Sequence, residues 1–394
     1  MSVNVNQLYN SVKDCEINLL AGASGLNRVV SWVHMVEKTE IATFLKGGEI
    51  TFTTGIGITT SEELVDLIKD IVKNGGSAIV LNYGPFIKTI PPEAIAFCEE
   101  RQTPLFSVPW SVHMAEIMRK SCLLITLSEK KQIEISSAIK NAILFPKQKE
   151  LYVPHLENYG LKVNDAYIIM IMSIKKQEND EMYRKILLHQ IKNYISKKNW
   201  KCTVLELDGY ILFLFNGDEY TEEKVKQFFQ ELMVNCTQLR NCQEVLAGIG
   251  EPTKNIYCIS RSFNQAKSVI DLKSCQGDSA NELLYSNMGI YKLLLEIEDK
   301  AVKRSFVNQT IGIILNYDQL NDSNLTKVLR IYLKNNGSVK KTAEDLFVHR
   351  NTVNYKIRRI GELLNCSLND YEVCSRLDIA LKLYDIIGME MGHL

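Results

Sequence analysis

Hydrophobic positions change their period along the chain, and those changes divide it. Near the N-terminus, short apolar runs alternate with helical spacing. Residues 28–36, 49–54, 77–81 and 105–108 read as strands, and 41–46 as a short helix ended by Gly47-Gly48. Residues 62–73 carry Leu64, Leu67, Ile68, Ile71 and Val72 on one helix face, with Ser61 as N-cap and Asn74-Gly75-Gly76 as the stop. Residues 92–100 form a further helix. Strand–helix repetition predicts an α/β domain with a mostly parallel sheet.

Residues 114–149 keep a helical period throughout, with apolar positions recurring from Ile117 to Ile143. This long helix is either a dimer contact and signal carrier or simply a helix packed on its own domain. Beyond it, strands are expected at 167–174, 202–207, 210–215 and 245–249, with helices at 181–197, 221–240 and 256–272. Asp208-Gly209 between two strands is a hairpin signal. The order β-α-β-β-α-β-α is ferredoxin-like. From Tyr291 the pattern is all helical, with helices at 291–298, 305–315, 325–335, 338–346, 349–364 and 371–387.

Composition is that of an ordinary globular chain: 394 residues, 46% hydrophobic and 23% charged. A wholly disordered or low-complexity chain is excluded. The ten cysteines form no C-x-x-C pair and are scattered, as in a reduced, cytoplasmic protein rather than a disulfide framework. The polar N-terminus has no signal-peptide pattern, and no uncharged apolar run approaches the ~18–20 residues that span a bilayer.

Net charge is zero, with 46 basic and 46 acidic residues, but it is unevenly spread. Residues 325–364 hold nine Lys/Arg against three Asp/Glu, leaving an acidic remainder. Within that basic stretch Ser338 can cap a helix ending near Phe347, and a three-residue turn leads to a second helix. Ala343 is small enough for close helix approach. Leu346, Val348, Val353 and Ile357 are placed to stitch the two helices together. At 100° per residue, Val353, Ile357, Ile360 and Leu364 fall within about 60° of arc, a stripe for the core. Asn351, Tyr355, Arg358 and Arg359 lie opposite, with Asn354 beside them.

No acid occurs between His349 and Gly361, against four cations. Such a face suits double-stranded DNA. Asn351, Asn354, Tyr355 and Arg358 would read bases, and His349, Arg350, Lys356 and Arg359 would mostly hold phosphates, with Thr352 a further DNA contact. A solvated basic helix face is the plainer alternative, and an acidic protein partner a third.

The motif is recognisable. His349-Arg350-Asn351-Thr352, Tyr355-Lys356-Ile357 and Arg359-Ile360 resemble the H-R-N-T-x-x-Y-R-L-x-R-I signature of the purine catabolism regulator (PucR) family, which is related to the sugar diacid regulators. Lys356 replaces Arg and loses bidentate geometry; Ile357 replaces Leu. Residues 47–55, GGEITFTTG, are similar to the G-G-E-L-x-L-T-T-G segment of that family's N-terminal domain. The resemblance implies a multidomain chain of α/β and α+β type. Its parts would be an α/β effector-sensing domain (1–125), a helical linker (126–160), a ferredoxin-like degenerate cyclase-type domain (161–285) and an all-α domain (290–394) with its helix-turn-helix at 338–364. It further implies a cytoplasmic, ligand-responsive regulator of purine or related nitrogen-compound catabolism, working as a homodimer or higher oligomer.

Enzyme chemistry finds little footing. An active diguanylate cyclase needs a G-G-D/E-E-F hairpin, and the corresponding segment here is Leu205-Glu206-Leu207-Asp208-Gly209-Tyr210. No metal cluster, P-loop or nucleophile elbow is present, so no catalytic residue, metal or cofactor is expected. A nucleotide-binding signalling protein or an enzyme, using the N-terminal or the cyclase-like domain, remains the alternative function. Ligands of parallel sheets bind in loops beyond the strands. Glu37, Glu40, Glu49, Thr53, Thr54 and Gly55 are therefore the candidate effector contacts, although the glycines are equally explained as helix and strand ends.

Overall fold

The structure is a computed structural model that describes residues 3–175, 181–240, 242, 244–276 and 283–390. Residues 1–2, 176–180, 241, 243, 277–282 and 391–394, which the expected domain limits include, lie outside the described residues. The chain divides into two compact units, Met1–Ala266 and Lys267–Leu394.

The first unit begins with helix α1 (Val5–Ser11) and strand β1 (Asn18–Ala21). Then come β2 (Trp32–Met35), α2 (Thr39–Ala42), β3 (Glu49–Thr53), α3 (Ser61–Lys73), β4 (Ala78–Tyr83), α4 (Pro92–Glu100) and β5 (Leu105–Pro109). The five strands form one sheet in the order β1-β5-β4-β3-β2, parallel except for β1 on β5. Strand β1 is absent from the sequence reading. It has four residues, Asn-Leu-Leu-Ala, without β-branched side chains or clean alternation, so its pairing with β5 decides its state.

Helix α3 shows why boundaries shift by a residue. Thr60, extended at φ −126°, is the N-cap; its hydroxyl accepts from Glu63 N, and the Glu63 carboxylate accepts from Thr60 N. Ser61, the expected cap, is the first helical residue, because only Thr60 stands three before Glu63 and completes the capping box. Leu64, Leu67, Ile68 and Ile71 are buried as the pattern requires.

Helix α5 (Met114–Leu144) runs 31 residues and stops at Phe145, short of the expected 149, because Pro146 disfavours helix in the residue before it. Helix α6 (Val153–Asn158) leads to the second sheet of this unit. Its elements are β6 (Tyr167–Lys175), α7 (Glu181–Lys198), β7 (Cys202–Leu207), β8 (Tyr210–Asn216), α8 (Glu222–Asn235), α9 (Thr237–Arg240), β9 (Glu244–Ile249) and α10 (Ile259–Gln276). The strand order β7-β8-β6-β9, antiparallel throughout, is the ferredoxin-like arrangement. The helix expected over 221–240 is two helices, because Cys236 adopts an extended conformation and turns its thiol to Gln190.

The second unit is helical: the end of α10, then α11 (Tyr291–Leu295), α12 (Lys300–Asn321), α13 (Leu325–Lys334), α14 (Val339–Leu346), α15 (Arg350–Leu364) and α16 (Tyr371–Glu390). Asp299 caps α12, accepting from Ala301 N and Val302 N, which starts the helix earlier than the apolar period indicates. Among the described residues no helix is long and apolar enough to cross a membrane.

Candidate nucleic-acid interface

Local signals shape the α14–α15 pair. Ser338 caps α14, its hydroxyl accepting from Lys341 N. The helix ends at Phe347, in the left-handed region at φ 55°, and Val348 N donates 3.0 Å back to Ala343 O. His349 then caps α15, its Nδ1 accepting from Asn351 N at 3.3 Å. The link is thus the three residues 347–349. Val328 of α13, Ala343 of α14 and Val353 of α15 form a small shared core, with Val339, Leu346 and Ile357 against it. Ile360 is fully buried in the larger core of the unit.

The outward face carries the expected side chains, but not all of them equally. Asn351, Thr352, Asn354, Tyr355 and Arg358 are exposed, as are His349 and Arg350 on the first turn. Lys356 instead bonds Asn324 Oδ1 at the start of α13. Arg359 lies over the Tyr317 ring of α12, its guanidinium carbon 5.2 Å from the centroid, and also meets Glu362. Arg358 Nε donates 3.1 Å to the same Glu362 carboxylate. Four cations therefore divide in two. Arg350 and Arg358 stand on the outer surface, whereas Lys356 and Arg359 brace α15 against its neighbours. Tyr317 and Asn324 escaped sequence reasoning, since helical spacing marks faces but not the long-range groups that draw a side chain aside; Glu362 stands one turn beyond Arg358 and was legible as an i,i+4 partner but lies just past the acid-free stretch. Lys340 and Lys341, exposed on α14, extend the basic surface.

The N-terminal candidates separate into two places. At the end of β3 the Glu37 carboxylate accepts from Thr53 Oγ1 (2.9 Å), Thr54 N (3.1 Å), Thr54 Oγ1 (2.8 Å) and Gly55 N (3.1 Å). These four residues form a cluster that satisfies itself. A Cβ on Gly55, at φ +80°, would meet the Ile87 side chain at 2.4 Å, so glycine is required there. Glu40 is exposed on α2. Glu49 is buried at the opposite end of β3, beside the glycine pair and away from that cluster.

The β7–β8 turn consists of Asp208 (φ 50°) and Gly209 (φ 82°), as the hairpin signal requires. Among the described residues no group of His, Cys, Asp and Glu is placed to hold a metal ion.

Comparison with known proteins identifies three regions. Residues 9–125 match the purine catabolism regulatory protein-like family, 153–272 a GGDEF-like domain, and 325–383 the PucR C-terminal helix-turn-helix domain. The chain is 25% identical over 279 residues to the proline-responsive transcriptional activator PutR of Bacillus subtilis (strain 168), covering 69% of this chain and 66% of that protein. It is 23% identical over 234 residues to the DNA-binding transcriptional activator AdeR of the same organism, covering 58% and 54%. It is 30% identical over 143 residues to the purine catabolism regulatory protein of that organism, covering 36% and 26%. The matches thus span between about a quarter and two thirds of these relatives' own lengths.

Proposed function

The chain is a member of the PucR family, with its N-terminal domain, a GGDEF-like domain and its C-terminal helix-turn-helix, and from that premise we propose that it is a ligand-responsive, DNA-binding transcriptional regulator. It acts in the cytoplasm as a homodimer or higher oligomer, with α15 of each copy in the major groove of half-sites about 34 Å, or a multiple of that, apart. Asn351, Asn354, Tyr355 and Arg358 read base edges, whereas His349, Arg350 and Thr352 hold phosphates beside the free N–H groups of the helix start. Lys356 and Arg359 set the helix in place, and Lys340 and Lys341 reach the backbone from α14.

The observation that carries this reading is the row of exposed Asn351, Tyr355 and Arg358 on a helix whose opposite stripe is packed. A solvated helix would not need a capped turn and a shared three-helix core to fix its angle. The effector is a small nitrogen-containing metabolite: relatives are named for a response to proline and for purine catabolism. Its binding shifts the population of two arrangements, for which a coupling of about 1–3 kcal/mol suffices. The middle domain serves as a structural or dimerising part without catalysis, its β7–β8 turn lacking paired glycines and adjacent acids.

The test is a selection on sheared DNA of the source genome at near-physiological salt. Enrichment of a few promoter fragments sharing a motif supports the reading, and their neighbouring genes name the pathway. Featureless retention, with and without a set of candidate metabolites, refutes it.

A further inference from the structure

Within the first unit, a cavity of about 650 Å³ opens between the start of β3, the start of β2, α5 and α7. That size falls in the range of small-molecule sites. Helix α7 is fastened over it from the middle domain. Asn193 Oδ1 accepts from Val29 N at 2.8 Å, Ser196 Oγ donates to Asn27 O at 3.1 Å, and His189 sits where a Cβ on Gly48 would be.

Two charged groups on its wall, the Glu49 Oε2 oxygen and the Lys192 ammonium, have no hydrogen-bond partner among the described residues. Glu49 is 94% buried; Oε1 accepts from Lys46 N at 2.8 Å, but Oε2 has no hydrogen bond at all. A buried carboxylate oxygen without a donor costs free energy, and its presence calls for a missing donor. Lys192, on α7, makes no hydrogen bond or ion pair and does not reach Glu49. Burial holds its ammonium below the usual lysine range, with Glu129 and Glu206 acting the other way. His189 is kept neutral by burial beside Lys192 and Arg28. Val30, Trp32 and Ile125 supply apolar wall.

The geometry points to this cavity as the effector site and to a small zwitterion as its occupant: a protonated amine on Glu49 Oε2, a carboxylate on Lys192, and a short carbon body against Val30, Trp32 and Ile125. The inference deepens the regulator reading and rests on it for its consequence. A ligand held by β3 on one side and α7 on the other stabilises one seating of the middle domain on the N-terminal domain. Binding energy thereby becomes a choice between arrangements.

The probe is a panel of free amino acids at millimolar concentration, alongside their amides, which lack the carboxylate, and the matching acids, which lack the amine. The readouts are the unfolding temperature of the full chain and the emission of Trp32, with Trp32→Phe as control. At least one amino acid raises the unfolding temperature and shifts Trp32 emission, and both truncated analogues bind it about tenfold or more weakly. Glu49→Gln removes the response. Lys192→Gln, at a less buried position, folds normally and erases the preference for the free acid over its amide. No response to any panel member, or a folded Glu49→Gln or Lys192→Gln chain that keeps the wild-type pattern, overturns the proposal. The readouts use no DNA. Motif-selective DNA retention without panel binding therefore removes this site and leaves the regulator, whereas panel binding without DNA retention leaves the site and removes the regulator.

Discussion

Arg330 and Asp385 meet through two 2.8 Å contacts, each guanidinium nitrogen on its own carboxylate oxygen. The pair ties α13, the helix that props up the helix-turn-helix, to the last helix α16, and Tyr291 OH donates 2.8 Å to the same carboxylate. Asp385 is buried, and burial together with its negative charge pushes the Tyr291 phenol well above its ordinary range. Asp385→Ala leaves a guanidinium and a phenol facing an empty place. It should destabilise the C-terminal unit by about 2–4 kcal/mol in denaturant unfolding. A loss within about 0.5 kcal/mol would mean the pair is only incidental.

Val353 has the same structural importance for α15. It is fully buried against Val328 and Ala343, and these few contacts fix the angle at which the outer face is presented. Val353→Ala should cost about 1–3 kcal/mol of stability, and it should weaken DNA binding even where the chain remains folded. Unchanged affinity in a folded variant would show that the angle of α15 does not matter.

Glu362 holds both Arg358 and Arg359. It is therefore a brake on the face that meets DNA. Glu362→Gln removes one negative charge and releases the exposed Arg358. Binding to any DNA sequence should tighten by about three- to tenfold at low salt, with the gain fading as salt rises. A variant that binds more weakly would place Glu362 among the DNA contacts.

His189 makes stability depend on pH. Its folded value is brought down to about 4, first by burial and then by the charges of Lys192 and Arg28. The unfolded chain, with an ordinary value near ~6.5, binds the proton first. Stability from this group is therefore complete above about pH 6.5 and is lost as pH falls toward about 4. The expected loss is about 1–2 kcal/mol by about pH 5, and His189→Gln should remove it. The difference between the two unfolding series across that range is the measurement.

What was legible in the sequence was local. Ser338, Ala343 and the stripe Val353, Ile357, Ile360 stand within one short segment, so spacing alone placed the turn, the caps and the packed side. The Asp208-Gly209 hairpin and the ferredoxin-like strand order were likewise carried by adjacent signals. Interactions between distant residues were not. Strand β1 exists through β5, some 85 residues on in the chain. Glu37 is brought to Thr53, Thr54 and Gly55 by the parallel register of β2 on β3, which no period announces. Glu49 shares a motif with those threonines but sits at the other end of the strand, on a cavity wall that it shares with His189 and Lys192 of a different domain. Arg359 lies on the polar arc of its helix, yet Tyr317 turns it inward.

The decisive measurement is equilibrium binding of the full chain to a fragment recovered from the genomic selection and to a scrambled fragment of equal length, for the natural sequence and for Asn351→Ala/Arg358→Ala. The natural chain should prefer the selected fragment. The double variant, folded by its unfolding profile, should lose about 2–6 kcal/mol on it, from two base-reading contacts, and bind both fragments alike. A double variant that keeps the preference would contradict recognition through the outer face of α15.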